Sequence, residues 1–327
     1  MSMLHRLTAV LAGLAALGAV PASAQDYPTR PITVIVPFAA GGPTDVIARI
    51  VTDNMSRTLG QTFVIENVVG AGGTTGITRA KRARNDGYTI AMGHLGTQAA
   101  APALYPNLQY DPVNDFEPIG LAAGTPILIL AKKDLPPKDL KEFAAYAKQN
   151  VDKMNFAHAG VGSVSFTTCL LLNHILGIKP TSIPYQGTGP SMNALVAGQV
   201  DAMCDQIVNA VPQIKGGTIK AYAIATEERN PALPDLPTTK EAGMPEYQAS
   251  AWNALIAPKG TPKPIVDKLS DALSKALDDE ATRKRLLDLG SDIPGKDRRG
   301  GTPLAALVKS EIAKWGPVIK AAGATAN

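Results

Sequence analysis

Short apolar runs of strand length alternate with helix-periodic segments almost from end to end of this chain. That alternation constrains the fold more than any single motif, because strand–helix–strand units pack as parallel sheets with helices on their faces. ITVIVPF, residues 32–38, reads as a strand buried on both faces. Pro43 to Leu59 reads as a helix with Val46, Ile47, Ile50, Val51 and Met55 on one side. TFVIENV, a helix opening at GTTGITRAKRAR, and YTIAMG continue the series. A second series holds MNFAHAG, a helix from Ser165 to Leu176, TSIPYQ, a helix from Pro190 to Ala197, VDAMCDQI, a short helix near Val211, and IKAYAIAT. The end is helical, with Ile265, Val266, Leu269 and Leu273 in register between Pro264 and Leu277, and a further helix from Thr302 onward.

Two apolar runs exceed the usual strand length, Ile119 to Lys132 and Ala249 to Lys259, and they bracket the second series. They read as two crossings between lobes. The expected organisation is lobe I from residues 25–125 and 250–327, lobe II from residues 126–249, and a cleft between them. In open α/β sheets ligands sit beyond the carboxyl ends of the strands, so the strand-to-helix loops should line that cleft.

His5 and Arg6, an apolar run from Leu7 to Val20, and Ala22-Ser23-Ala24 form the three parts of a secretory signal peptide. Residues 1–24 are expected to be a leader cleaved after Ala24, leaving Gln25 first in an exported periplasmic protein. A net charge of +4 without a basic run makes nucleic acid and anionic membranes poor partners. Two cysteines, Cys169 and Cys204, exclude a disulfide scaffold. One bridge is possible, but two buried small hydrophobes is the plainer expectation.

The loops carry the chemistry. In AAGGPTD, residues 39–45, two glycines precede Pro43 at the start of a helix, so unpaired N–H groups and the positive helix end favour an anion. Asp45, near the third helical position, could close a capping box or order a ligand. VVGAGGTTG, residues 68–76, repeats the arrangement. Its glycine spacing departs from the dinucleotide fingerprint, and Met92-Gly93-His94 ends the next strand where an acidic residue would be needed, so no cofactor is expected. GHLGTQ brings Thr97 as a hydroxyl donor. HAGVGSVS brings Ser163, and PYQGTGP and CDQIVN complete the rim. Asp205 would repel an anion directly and suits a water-mediated or structural role.

Catalytic machinery is thin. Ser163 lacks the flanking glycines of a nucleophile elbow. His94, His158 and His174 stand at no metal-binding spacing, and no metal is expected.

Taken in order, PFAAGGPTDVIAR, ENVVGAGGTTG, DGYTIAMG, LQYDPVNDFEPIG, IPYQGTGPSMNALVAGQVDAM and LPDLPTTKEAGMPEY resemble the Bug-type periplasmic solute-binding proteins of tripartite tricarboxylate transporters. The resemblance runs nearly the length of the chain beyond the leader. It implies an α/β type II periplasmic binding protein, with two doubly wound α/β lobes joined by two crossover segments. It implies a monomer that takes a carboxylate ligand to the large and small integral-membrane subunits of a permease, and that is not an enzyme. Carried over by position, the contacts fall on Phe38, Ala39, Gly41, Gly42, Thr44 and Asp45, then on His94, Gly96 and Thr97. In lobe II they fall on Gly160, Gly162, Ser163, Tyr185 and Asp205. His158 stands where relatives commonly have smaller residues, and there a distinctive fit to the far end of the ligand is expected. A sensor-coupled binding protein or a periplasmic hydrolase are the alternative readings.

Overall fold

The computed structural model describes residues 27–326, so the expected leader and its cleavage site lie outside the described residues. The first elements are β1 (Ile32–Val36), α1 (Pro43–Leu59), β2 (Phe63–Asn67), α2 (Thr74–Lys81) and β3 (Thr89–His94). A π-helix, Gly96–Ala100, runs into the single turn α3 (Ala101–Leu104), and the 17-residue strand β4 (Phe116–Lys132) follows. Next come α4 (Leu140–Gln149), β5 (Asn155–His158), α5 (Val164–Leu176), β6 (Thr181–Pro184), α6 (Thr188–Val196), β7 (Ala202–Gln206), α7 (Ile207–Lys215) and β8 (Ile219–Ile224). The chain closes with β9 (Ser250–Pro258), α8 (Lys263–Asp278), α9 (Glu280–Asp288) and α10 (Gly301–Ala321).

The sheet runs β2-β1-β3-β9-β4-β7-β5-β6, with β8 also paired to β4. β4 changes partners part way along. Phe116 to Pro126 pair with β9, and Ile127 to Lys132 pair with β7 and β8. The βα series pair in parallel as the alternation requires: β1 with β2 and β3, β5 with β6 and β7. The long strands break that rule. β9 lies antiparallel to β3 and β4, and β4 antiparallel to β7 and β8, so the sheet is mixed where all-parallel pairing was expected. A strand that returns from the other half of the molecule enters in the opposite direction, and alternation cannot reveal this.

α1 buries Ile47, Ile50, Val51 and Met55 and packs on α8, whose Leu269 and Leu273 are likewise buried. Each such side chain stabilises the fold by about 1.5–3 kcal/mol relative to exposure. Gly60 ends α1 in the left-handed region and returns its N–H to the Ser56 carbonyl. α4 was not anticipated, although its start is written locally. The Asp139 carboxylate accepts from the Glu142 N–H, and Glu142 accepts from the Lys138 N–H. Cys169 on α5 and Cys204 on β7 form a disulfide, with Cα atoms 5.2 Å apart. This corrects the expectation of two separate buried thiols.

Candidate functional site

Four helices begin around one small cavity. α1 presents Gly42, Pro43 and Thr44; α5 presents Ser163, Val164 and Ser165; α6 presents Thr188; and α7 follows directly on Gln206. Phe38 and His94 close the side nearest β3. The βα connections set this up, since each parallel strand delivers the next helix start to the same edge of the sheet. Four positive helix ends facing one space favour an anion, each by about 0.3–1 kcal/mol or more when water is excluded. No lysine or arginine lines the cavity.

The polar groups that face it are neutral. Gln206 Oε1 accepts from the Thr125 hydroxyl (2.7 Å) and from Asn253 Nδ2 (3.1 Å), which fixes the amide so that its NH2 is the group left for a ligand. His94 Nδ1 accepts from the Thr97 N–H (3.2 Å), so the neutral ring carries its proton on Nε2. Burial pulls the His94 pKa down to about 4, and the ring stacks on Phe38 with centroids 4.8 Å apart. Ser165 Oγ accepts from the Ala159 N–H (2.9 Å) and lies 3.1 Å from Ser163 Oγ. Ser163 Oγ also caps α5 by accepting from the Phe166 N–H (3.2 Å). Either hydroxyl can donate to the other, so one proton of the Ser163–Ser165 pair is left for the cavity that both line. Donors therefore outnumber acceptors around the space, which suits a carboxylate.

The remaining expected residues take supporting places. Ala39 donates its N–H to the Gln186 carbonyl across the cleft (3.2 Å). Gly41 sits at φ +79°, donates its N–H to Asp45 Oδ2 (2.9 Å) and accepts from Asn209 Nδ2 (2.5 Å). Asp45 thus reaches one residue beyond the expected capping box. Its other partners are Arg49 and Asn67. Burial pushes its pKa up, but Arg49, the Gly41 N–H and Asn67 together hold it below the usual carboxylate range. Asp45 orders the loop and does not line the cavity. The Thr97 hydroxyl, expected as a ligand donor, is spent on the His94 backbone at 3.2 and 3.3 Å. Gly96 abuts the Gly162 carbonyl, where a Cβ would collide. Gly160 and Tyr185 line a neighbouring groove of about 590 Å³, which Phe38 shares. Gly162 packs on Tyr105.

Asp205 is fully buried behind Gln206. Its Oδ1 accepts from the Gln206 N–H (2.7 Å), and its Oδ2 finds no well-aligned partner. Burial raises its pKa to about 7, against smaller opposing effects of the Gln206 N–H and the nearby Thr188 hydroxyl. His158, expected beside the far end of a ligand, does not line this cavity; it faces a separate pocket on the other side of its loop. No cluster of metal-ligating side chains exists among the described residues. Ser165, Thr188, Gln206 and Asn209 lie in the rim stretches that the sequence marks but are not among the expected contacts. Their shared signal is position, at or just after a strand's end where a helix opens.

The loops of the two halves touch. The Tyr105 hydroxyl donates to the Val161 carbonyl (2.6 Å), Asn209 reaches Gly41, and a Cβ on Gly72 would strike the Val161 carbonyl. The enclosed space is about 10 Å³, room for one water-sized body.

A two-part α/β molecule with converging helix starts in a closed cleft is a ligand-binding protein of the type II periplasmic binding protein fold. Residues 47–324 match the Tripartite tricarboxylate transporter family receptor, and the chain belongs to that family of periplasmic solute-binding proteins. It is 54% identical to MatC from Rhodopseudomonas palustris, solved with bound malate, at TM-score 0.88 over 90% of this chain and all of that one. The periplasmic binding protein BugD is 45% identical at TM-score 0.89, covering 91% of this chain and 99% of that one. A second R. palustris protein, solved with adipate, is 32% identical at TM-score 0.87, with 91% and 99% coverage. BugT of Bordetella pertussis is 31% identical over 99% of each chain.

Proposed function

We propose that this chain captures a small organic acid by its carboxylate between the starts of α1, α5, α6 and α7, and delivers it to a tripartite tricarboxylate permease. The observation that carries the reading is the set of neutral donors in a cavity without lysine or arginine: His94 Nε2–H, the Gln206 amide and one hydroxyl of the Ser163–Ser165 pair. Thr44 and Thr188 also line the cavity. Hydroxyls and helix N–H groups bind an anion without the desolvation cost of a buried cation. Residues 25–125 with 250–327 act as one lobe and residues 126–249 as the other. The contracted space requires them to part for the ligand to enter. The protein acts as a periplasmic monomer after loss of residues 1–24, and its partners are the large and small membrane subunits of the permease.

Similarity to MatC makes a C4 hydroxy-diacid the first ligand to try. Thermal shift with malate, adipate, citrate and neutral sugars on protein refolded from denaturant tests the reading. A bound acid at a hundredfold excess over Kd should stabilise by about 2.7 kcal/mol. A shift by sugars with none by any acid would refute it.

A further inference from the structure

We propose that a second pocket, behind the His158–Ser163 loop, binds an aromatic carboxylic acid independently of the interlobe cleft. The pocket measures about 650 Å³ and lies between α5, the β5–β6 edge and the end of α10. That size is within the range of small-molecule sites. Phe156, Phe166, Leu170 and Ile178 supply its walls, which suit a flat apolar ring. His158 stands in it with 3% of its surface exposed. The His158 Nδ1 accepts from the Gly160 N–H (3.1 Å), so the neutral ring has its proton on Nε2, which meets no protein acceptor among the described residues. Burial holds this imidazole neutral, with its pKa near 4. A donor without a protein partner at the wall of an apolar pocket is available to a ligand acceptor. Lys179 supplies a cation at the rim, and no acidic residue lines the pocket. An aromatic ring fits the apolar walls, and polar substituents on it, a carboxylate among them, meet His158 Nε2–H and Lys179.

Calorimetric titration of the mature chain with 4-hydroxybenzoate tests this. Saturable binding is expected below about 1 mM. Lys179→Ala should weaken it at least tenfold, and Leu170→Trp, which fills the pocket, should remove it. The cleft variant Thr44→Val should leave it intact. Malate titrated into Lys179→Ala should bind as it does to the unaltered protein. No binding of 4-hydroxybenzoate at millimolar concentration overturns the proposal. So does binding that Thr44→Val abolishes and Lys179→Ala spares, since the acid would then sit in the cleft. Lys179 is exposed, so its variant decides the matter even where Leu170→Trp fails to fold. Failure of malate to bind anywhere would count against the cleft reading alone.

Discussion

Among single residues, Gly41 and Asp205 carry the sharpest expectations. Gly41 has open space where a Cβ would lie, so the constraint is its φ of +79° and its two backbone bonds, and not crowding. Gly41→Ala should cost about 1 kcal/mol through the left-handed backbone alone, and Gly41→Val more, because a β-branched residue tolerates that region worse. Both should weaken ligand binding by unseating the bonds to Asp45 and Asn209. Calorimetry beside a thermal melt separates the two effects, and full affinity in a folded Gly41→Val protein would exclude this loop from the site. Asp205 concerns pH. Its folded pKa, about 7, lies above the ordinary aspartate value, so the folded state keeps a proton that the unfolded state loses. Stability should therefore fall as pH rises from about 4 to about 7 and stay lowered above that, by up to about 4 kcal/mol. Asp205→Asn should remove this dependence and melt higher than the parent at pH 8. Equal melting of the two proteins at pH 8 would show that the carboxyl ionises there at little cost.

At the level of elements, the start of α5 joins stability to recognition. Ser163 caps the helix through the Phe166 N–H and shares with Ser165 the hydroxyl proton left for the cavity. Ser163→Ala should lose about 1 kcal/mol of stability from the cap and bind the acid several-fold more weakly. Ser163→Thr should restore the melt, so a binding loss that persists in it reports the fit at the cavity. Farther along α5, the disulfide ties Cys169 to Cys204 on β7 across 35 residues of chain. By the loop-entropy relation that closure stabilises by about 3–4 kcal/mol. Reduction, or the Cys169→Ala/Cys204→Ala pair, should lower the melting temperature markedly while the cavity residues stay in place. An unchanged melt after complete reduction would mean that packing of the two side chains does the same work as the bond.

In the whole molecule, the facing loops of the two halves meet through polar contacts that include Tyr105 to Val161, Asn209 to Gly41, and Ala39 to Gln186. Removing one should shift the balance toward open lobes and tax apparent affinity by the fraction of closed protein lost. Asn209→Ala is expected to weaken binding about 3–10-fold, with a larger radius of gyration by solution scattering when no acid is present. An unchanged radius together with unchanged affinity would remove Asn209 from the closure mechanism. Sequence by itself determined much. The alternation of apolar runs with helical periods fixed parallel βα series, the over-long run from Ile119 to Lys132 marked the strand that changes partners, and GGPT and HAGVGS announced helix starts with bare backbone. These are local signals, set by periodicity and by the needs of helix ends; together with the family resemblance they named Phe38, Gly42, Thr44, His94 and Ser163, which line the cavity. Only the tertiary structure decided that β8 and β9 run antiparallel to β4 and that Cys169 meets Cys204. It also spent the Thr97 hydroxyl inside its own loop, turned His158 away from the cleft, and made Gln206 a donor by engaging its oxygen with Thr125 and Asn253. Apart from the Thr97 hydroxyl, whose partner His94 stands three residues back, these outcomes depend on partners 35 or more residues away along the chain, and no local pattern records who those partners are.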